Sequence, residues 1–261
     1  MPPPVISVVM ITQPSRLHFR KLALQCLAAQ VDPPAVEVVI ATDDGDHLTA
    51  AELAPLHARF GADHVKVIAG TWKTVPDKHN AVIAAASAPW FTFWDDDDWC
   101  SPDRLRAVYG HLSEDVDILG PDAIHYHELI GSYRRTLVFT THAHVIDGAA
   151  TVRRSLWERT PFTPSKSRHP NAARWGTIGD WIVHRAADRA AVRVVNTPYV
   201  AMVHDTNASI PARPFRVEEK TGRVLDGPLD YTLAGGRQLA AELMGEAALQ
   251  AYEKAFAASA R

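Results

Sequence analysis

The sequence predicts an α/β protein with a mostly parallel sheet flanked by helices, a mixed and less regular second half, and a helical C-terminal extension. Two observations carry that prediction. Apolar runs such as Val5–Thr12 and Val36–Ala41 are near-continuous in Val and Ile, as in strands buried on both faces. Helical stretches separate them, and strand–helix alternation implies parallel strands joined by right-handed crossovers. A third observation singles out one edge of the sheet. Thr12, Asp43 and Asp95 stand where three of the apolar runs end, and in open α/β sheets ligands bind outside the carboxyl ends of the strands.

At 261 residues the chain can bury a sizeable core. Hydrophobic residues make up 47% and charged residues 22%, which is ordinary globular composition and argues against extensive disorder. Two cysteines, Cys26 and Cys100, form neither a disulfide framework nor a metal-type pair. No run approaches the roughly 18 apolar residues of a membrane span, and the opening Met-Pro-Pro-Pro does not read as a signal peptide. The expected setting is therefore cytoplasmic, with peripheral membrane contact left open.

In chain order, Gln13-Pro14 breaks the first strand, and Ser15 is a candidate cap for a helix to about Ala29. Pro33-Pro34 precedes the second strand, which runs into Asp43-Asp44-Gly45-Asp46. A helix over Thr49–Phe60 and a strand over His64–Ala69 complete two βαβ units. Asp77-Lys78-His79-Asn80 leads into an alanine-rich helix, Ala81–Ser87. Trp90-Phe91-Thr92-Phe93 is the next strand, since aromatic and β-branched residues suit a pleated, buried surface. Shorter strands follow at Asp117–Leu119, Ala123–Tyr126, Thr136–Phe139, Val192–Val195 and Tyr199–Val203, and the tail from Leu233 to Ala257 is strongly helical.

Asp95-Asp96-Asp97-Asp98 leaves the Trp90 strand directly. Four adjacent carboxylates repel one another, so a fold that keeps them together supplies a cation or solvates them. If the segment stays extended, Asp95 and Asp97 face one side together, an arrangement suited to a hard divalent ion bridging protein carboxylates to a substrate phosphate.

In their order and spacing these residues resemble family 2 glycosyltransferases of the GT-A fold. The resemblance rests on Thr12, Asp43-Asp44-Gly45, Lys78-His79-Asn80, the Asp95–Asp98 turn with Trp99 and Pro102-Asp103-Arg104-Leu105, then Gly179-Asp180-Trp181, and His204 with Asn207 and Ser209. It covers about Val5 to Ser209. Three departures stand out: Gly179 replaces a Glu, Lys78 replaces the commoner Arg, and Asp46 replaces a Ser.

The resemblance implies a Rossmann-like GT-A domain over 1–209. Residues 1–105 would form its nucleotide-sugar-binding half and 106–209 its acceptor half, with 210–261 as the helical extension. It implies an inverting transferase using a nucleotide-sugar donor, a UDP-sugar by preference over GDP- or dTDP-sugars, with Mn2+ or Mg2+ as cofactor. Thr12, Asp43, Lys78, Asn80, Asp95 and Asp96 would bind the donor. Asp97, Asp98 and His204 would hold the metal, Asp180 would be the general base, and Trp181 would lie on the acceptor side. Each has a plainer alternative: Asp43 as a turn residue, Lys78 as a solvated first-turn residue, Asp180 as a helix cap, and His204 as a structural strand-end histidine. The pairs His125/His127 and His142/His144 read as surface or acceptor-cleft residues.

Charge adds one expectation. Between Gly131 and Trp175 eight basic residues, among them Arg134, Arg135, Arg153 and Arg154, face only Asp147 and Glu158, a net of +6. By the resemblance this part of the chain, with Arg153 and Arg154, lies on the acceptor side. An anionic acceptor is expected there: a glycan, a lipid phosphate or DNA carrying modified bases. The rivals are a nucleotidyltransferase, which would want a Gly-rich phosphate loop where Thr12-Gln13-Pro14-Ser15 stands, and a relative that binds nucleotide sugar without turnover.

Overall fold

The computed structural model describes residues 2–140, 145, 147–163, 191–205, 216–218 and 231–259. Asp180, Trp181, His142, His144, Asn207 and Ser209 lie outside the described residues.

Seven strands form the main sheet. In chain order they are β1 (Ile6–Ile11), β2 (Val36–Asp43), β3 (Val65–Gly70), β4 (Trp90–Phe93), β6 (Ile118–Gly120), β9 (Thr151–Arg153) and β10 (Val192–Val194). Their order across the sheet is β10-β6-β9-β4-β1-β2-β3. β1 lies centrally and pairs in parallel with β2 from Ile6↔Val36 to Ile11↔Ala41, and with β4 from Ile6↔Trp90 to Val9↔Phe93. β9 runs antiparallel to both its neighbours, β4 and β6. Because β1, β2 and β4 are parallel, their carboxyl ends, and so Thr12, Asp43 and Asp95, share one edge of the sheet.

The unbroken apolar runs have a direct cause, since successive residues feed cores on opposite faces. Ile6, Val8 and Met10 pack with Leu24 and Leu27 of α1 (Leu17–Ala28) and Leu56 of α2 (Ala50–Phe60). Val9, Phe91 and Phe93 pack on the other face with Val82 and Ile83 of α3 (Val75–Ala85) and Trp157 of α5 (Arg154–Arg159). The short helix α4 (Arg104–Tyr109) follows the aspartate turn.

A second sheet has the order β12-β8-β7-β11-β5. It is built from β5 (Trp99–Cys100), β7 (Ala123–Glu128), β8 (Thr136–Thr140), β11 (Tyr199–Val203) and β12 (Tyr231–Gly235). Its pairings mix senses, as expected for the second half: β11 is parallel to β7 and antiparallel to β5. The tail then forms α6 (Arg237–Met244) and α7 (Glu246–Ser259). Leu233, read as helical from sequence, belongs instead to β12 and pairs with Leu137.

Two helix starts also differ from the sequence reading. Ser15 caps nothing, because Pro14–Arg16 is a 3-10 turn without a side-chain cap. α3 begins at Val75, six residues earlier than expected, because Thr74 accepts a hydrogen bond from the Asp77 N–H at 3.3 Å and Pro76 suits the first turn. Lys78 and Asn80 therefore sit on a helix, not before one.

Candidate active site

Beyond β4 the chain bends at Asp96 and Asp97, and the alternation of an extended strand is lost. Asp95 and Asp97 do not pair on one side as expected. Asp95 instead shares a partner with Asp98: the Tyr199 hydroxyl lies 3.0 Å from Asp95 Oδ2 and 2.7 Å from Asp98 Oδ2. Asp96 and Asp97 share Arg16, whose Nη1 is 2.8 Å from Asp96 Oδ1 and 2.9 Å from Asp97 Oδ2. The same Asp97 oxygen lies 3.1 Å from Nε2 of the fully buried His204.

These positions set the charges. Burial works against ionisation of Asp97, yet the Arg16 guanidinium and His204 hold its carboxyl below the usual range. Burial raises Asp96, and Asp97 beside it adds to the rise. Asp98 is pushed well above the ordinary value by burial and by the neighbouring Asp97 and Asp95. It also accepts from the Met202 N–H at 2.8 Å. With both oxygens engaged, Asp98 ties the turn to β11. From the other side, the Tyr252 hydroxyl on α7 donates to the Asp98 carbonyl at 2.7 Å, and Phe19 stacks between His204 and Tyr252.

Lys78 and Asp43 close the adjacent part of the edge. Lys78 is buried and reaches back from α3 to donate to the Thr12 carbonyl at 2.6 Å and to Asp43 Oδ1 at 2.7 Å. One side chain thus links the ends of β1 and β2. Gly45 turns the chain with a positive φ of 83°. Asp46, one of the departures from the family pattern, accepts both its hydrogen bonds from Arg20 of α1, at 3.0 and 2.8 Å, and so braces this turn. A cavity of about 300 Å³ opens here, lined by Thr12, Arg16, Asp43, Trp72, Lys78 and Asp96 among others.

Sequence reasoning missed Arg16, Trp72, Tyr199 and Tyr252. Trp72 follows β3, donates to the Thr42 carbonyl at 3.0 Å and covers Gly70, where a β-carbon would lie 2.8 Å from its ring. No motif marks these four. Each acts through a contact made by the fold.

Three expected site residues are placed elsewhere. The Asn80 amide donates to the Phe162 carbonyl and accepts from Trp157 Nε1 and the Phe162 N–H, clasping the segment after α5 instead of facing the cavity. Arg153 pairs opposite Trp90 at the start of β4, so it lies at the amino edge. Its guanidinium donates to the Ser113 and Val116 carbonyls and pairs with Asp117 at 3.2 Å. Arg154 donates to the Ile83 and Ala86 carbonyls at the end of α3. Neither lines the cavity at the carboxyl edge. Arg135 is likewise paired with buried Glu128 and Arg134 donates to the Leu129 carbonyl. His127, expected near the surface, is buried with Nδ1 3.0 Å from Thr136 Oγ1.

Carboxylates and an imidazole at one sheet edge, beside a cation-lined cavity, are the groups a nucleoside diphosphate with a divalent ion requires. The sequence profile described as Glycosyl transferase family 2 matches residues 7–194. The chain belongs to this family. Among curated proteins there is no significant sequence match. Solved structures show the same fold. The chain is similar to S. aureus TarS 1-349 in complex with UDP-GlcNAc, with 17% identity and a TM-score of 0.53, covering 80% of this chain and 62% of that one. It is also similar to mannosyltransferase PcManGT from Pyrobaculum calidifontis in complex with GDP-Man and Mn2+, with 14% identity and a TM-score of 0.55, covering 80% and 59%. Against a longer TarS structure the chain spans 36% of that protein's length. The GT-A fold expected from the resemblance is the fold found. The family match ends before Tyr199, Met202, His204 and Tyr252, so the partners that clasp the turn lie beyond the matched segment. No described helix is long and apolar enough to cross a membrane.

The metal expected of the family can be tested against these residues. Among the described residues no three acidic, His or Cys side chains converge on one point. Two donors do: Asp97 Oδ2 and His204 Nε2, at 3.1 Å. One buried Asp96 oxygen has no hydrogen-bond partner of good geometry. One or two protein ligands completed by phosphate oxygens and water is the usual way such ions are held beside phosphates, so the donor set fits.

Proposed function

We propose that this chain transfers a sugar from a nucleotide-sugar donor to a hydroxyl acceptor, with inversion at the anomeric carbon. The observation that carries the reading is the convergence of Thr12, Asp43, Lys78, Asp96 and Arg16 on one cavity, with Asp97 and His204 adjoining. A UDP-sugar is the first donor to test, with GDP- and dTDP-sugars as alternatives. Asp43, fixed by Lys78, would accept from the base or ribose, and Asp95, oriented by Tyr199, would contact the ribose. Asp97 and His204 would hold Mn2+ or Mg2+. When bound, such an ion offsets the charge that grows on the departing nucleoside diphosphate. Arg16 places a second cation beside the same charge.

Asp180 is assigned the role of base, taking the acceptor hydroxyl proton as the oxygen attacks the anomeric carbon. This assignment rests on the family pattern. Asp180→Asn should lower turnover by about 10²–10⁴-fold and leave donor binding unchanged. Normal turnover in that variant would remove Asp180 from the mechanism. The broader reading is tested by thermal unfolding with nucleoside diphosphates and nucleotide sugars, each with and without Mn2+. A nucleotide that binds only the folded state raises the midpoint in proportion to its binding free energy. A metal-dependent rise with one nucleotide is expected; no rise with any would favour a relative without turnover.

A further inference from the structure

Resting on that reading, we propose that Arg16 is an internal counter-ion that holds the metal position closed until the nucleotide arrives. Metal and diphosphate binding would thereby be coupled through one side chain. The geometry is specific. Arg16 Nη1 lies 2.9 Å from Asp97 Oδ2, the oxygen that His204 also approaches, and 2.8 Å from Asp96 Oδ1. A divalent ion using that Asp97 oxygen must therefore displace the guanidinium from it. Arg16 also lines the cavity beside Thr12, Asp43 and Lys78, so the displaced guanidinium has a short path to a bound diphosphate.

Charge balance makes the exchange reciprocal. Without ligand, Arg16 offsets two buried carboxylates that would otherwise repel each other. With ligand, the ion takes over Asp97 and the diphosphate takes Arg16, so each new charge has a partner. Lys78 cannot play this part, because it is already committed to Asp43 and to the Thr12 carbonyl. The guanidinium suits the role, since its planar fork pairs with carboxylate or phosphate oxygens alike. Metal alone would have to break the Arg16 pair uncompensated, and nucleotide alone would meet an Arg16 already neutralised.

The test is Mn2+ binding to the full chain, followed by electron paramagnetic resonance of the free ion, without nucleotide and with UDP or GDP. For the wild type, nucleotide should tighten Mn2+ by about tenfold or more, a usual size for coupling between two ligands. Arg16→Gln should bind Mn2+ about tenfold more tightly than wild type when nucleotide is absent, and nucleotide should then add little. Were Arg16→Gln to fold only when Mn2+ is present, the ion would be replacing the guanidinium, and the proposal would be supported. Should that variant fold under neither condition, Arg16→Lys carries the test, because a single ammonium grips two carboxylates less well. Tighter nucleotide-free binding supports the proposal, and equal or weaker binding overturns it. If wild type gains Mn2+ affinity with nucleotide while the variants bind no more tightly without it, Arg16 is not the counter-ion and the functional reading stands. If wild type binds Mn2+ under neither condition, the functional reading itself fails.

Discussion

The two edges of the main sheet hold similar residue types and use them in opposite ways. At the amino edge, the Glu37 carboxylate accepts from Ser7, Ser87, the Ser87 and Ala88 N–H groups, and Lys66. Nearby, Arg153 and Arg154 spend their guanidinium groups on carbonyls of adjacent loops and of α3. Those networks are closed. At the carboxyl edge, one Asp97 oxygen is shared by Arg16 and His204, one buried Asp96 oxygen lacks a well-formed hydrogen bond, and a cavity adjoins them. Closed networks of this kind build the fold. A network in which one oxygen serves two partners beside an opening can rearrange for a ligand.

The strongest way to break this contrast is Asp97→Ala. If the carboxyl edge is the site, turnover should fall by about a thousandfold, comparable to loss of one preorganised electrostatic group, and the Mn2+-dependent rise in thermal midpoint should vanish. Activity close to wild type would move the site elsewhere.

Next in size is Glu37→Gln at the amino edge. Its hydrogen bonds and Lys66 outweigh burial and hold the Glu37 carboxyl down at about 2, against an ordinary 4.5. A depressed carboxylate pKa contributes stability that is present above the ordinary value and is lost as pH falls from about 4.5 toward about 2. That shift corresponds to about 3 kcal/mol. Denaturant unfolding should show this acid loss in the wild type and not in Glu37→Gln, with donor binding at neutral pH the same in both. Arg153→Ala should cost less, about 2 kcal/mol, by leaving the Ser113 and Val116 carbonyls short of a donor, and should also spare donor binding. A donor-affinity change in either variant would join the two edges functionally.

These contrasts also mark what the sequence made legible. Strands β1, β2 and β4 announced themselves because both of their faces are buried, which calls for near-continuous apolar runs. The site edge followed from strand direction alone. Residues that touch across long separations left no such trace. Arg16 meets Asp96 and Asp97 eighty residues later, and Tyr252 reaches Asp98 from the tail. The contacts of Asp98 left none either, since its partners Tyr199 and Met202 lie on β11, about a hundred residues away. The places of Arg153 and Arg154 were not legible either, because a charge count gives sign without place. β9 runs antiparallel, which carries both to the amino edge. Asn80 followed a family motif, yet here its amide is taken by Trp157 and Phe162.

The smallest effect sharpens the contrast within the site itself. Gly148 lies against the aspartate turn, and a β-carbon there would stand 2.7 Å from Asp95 Oδ2. Such an approach is too close, so in Gly148→Ala the Asp95 carboxylate must shift and loosen its 3.0 Å contact with Tyr199. The φ of Gly148 is not positive, so the alanine backbone itself is unstrained. Donor affinity should therefore fall by about fivefold, near 1 kcal/mol, with the thermal midpoint without ligand barely moved. Isothermal titration with the donor that stabilises the wild type would read this. Unchanged affinity would show that Asp95 serves the fold through Tyr199, and would leave Asp96, which lines the cavity, and Asp97 as the aspartates of the turn with a ligand-facing role.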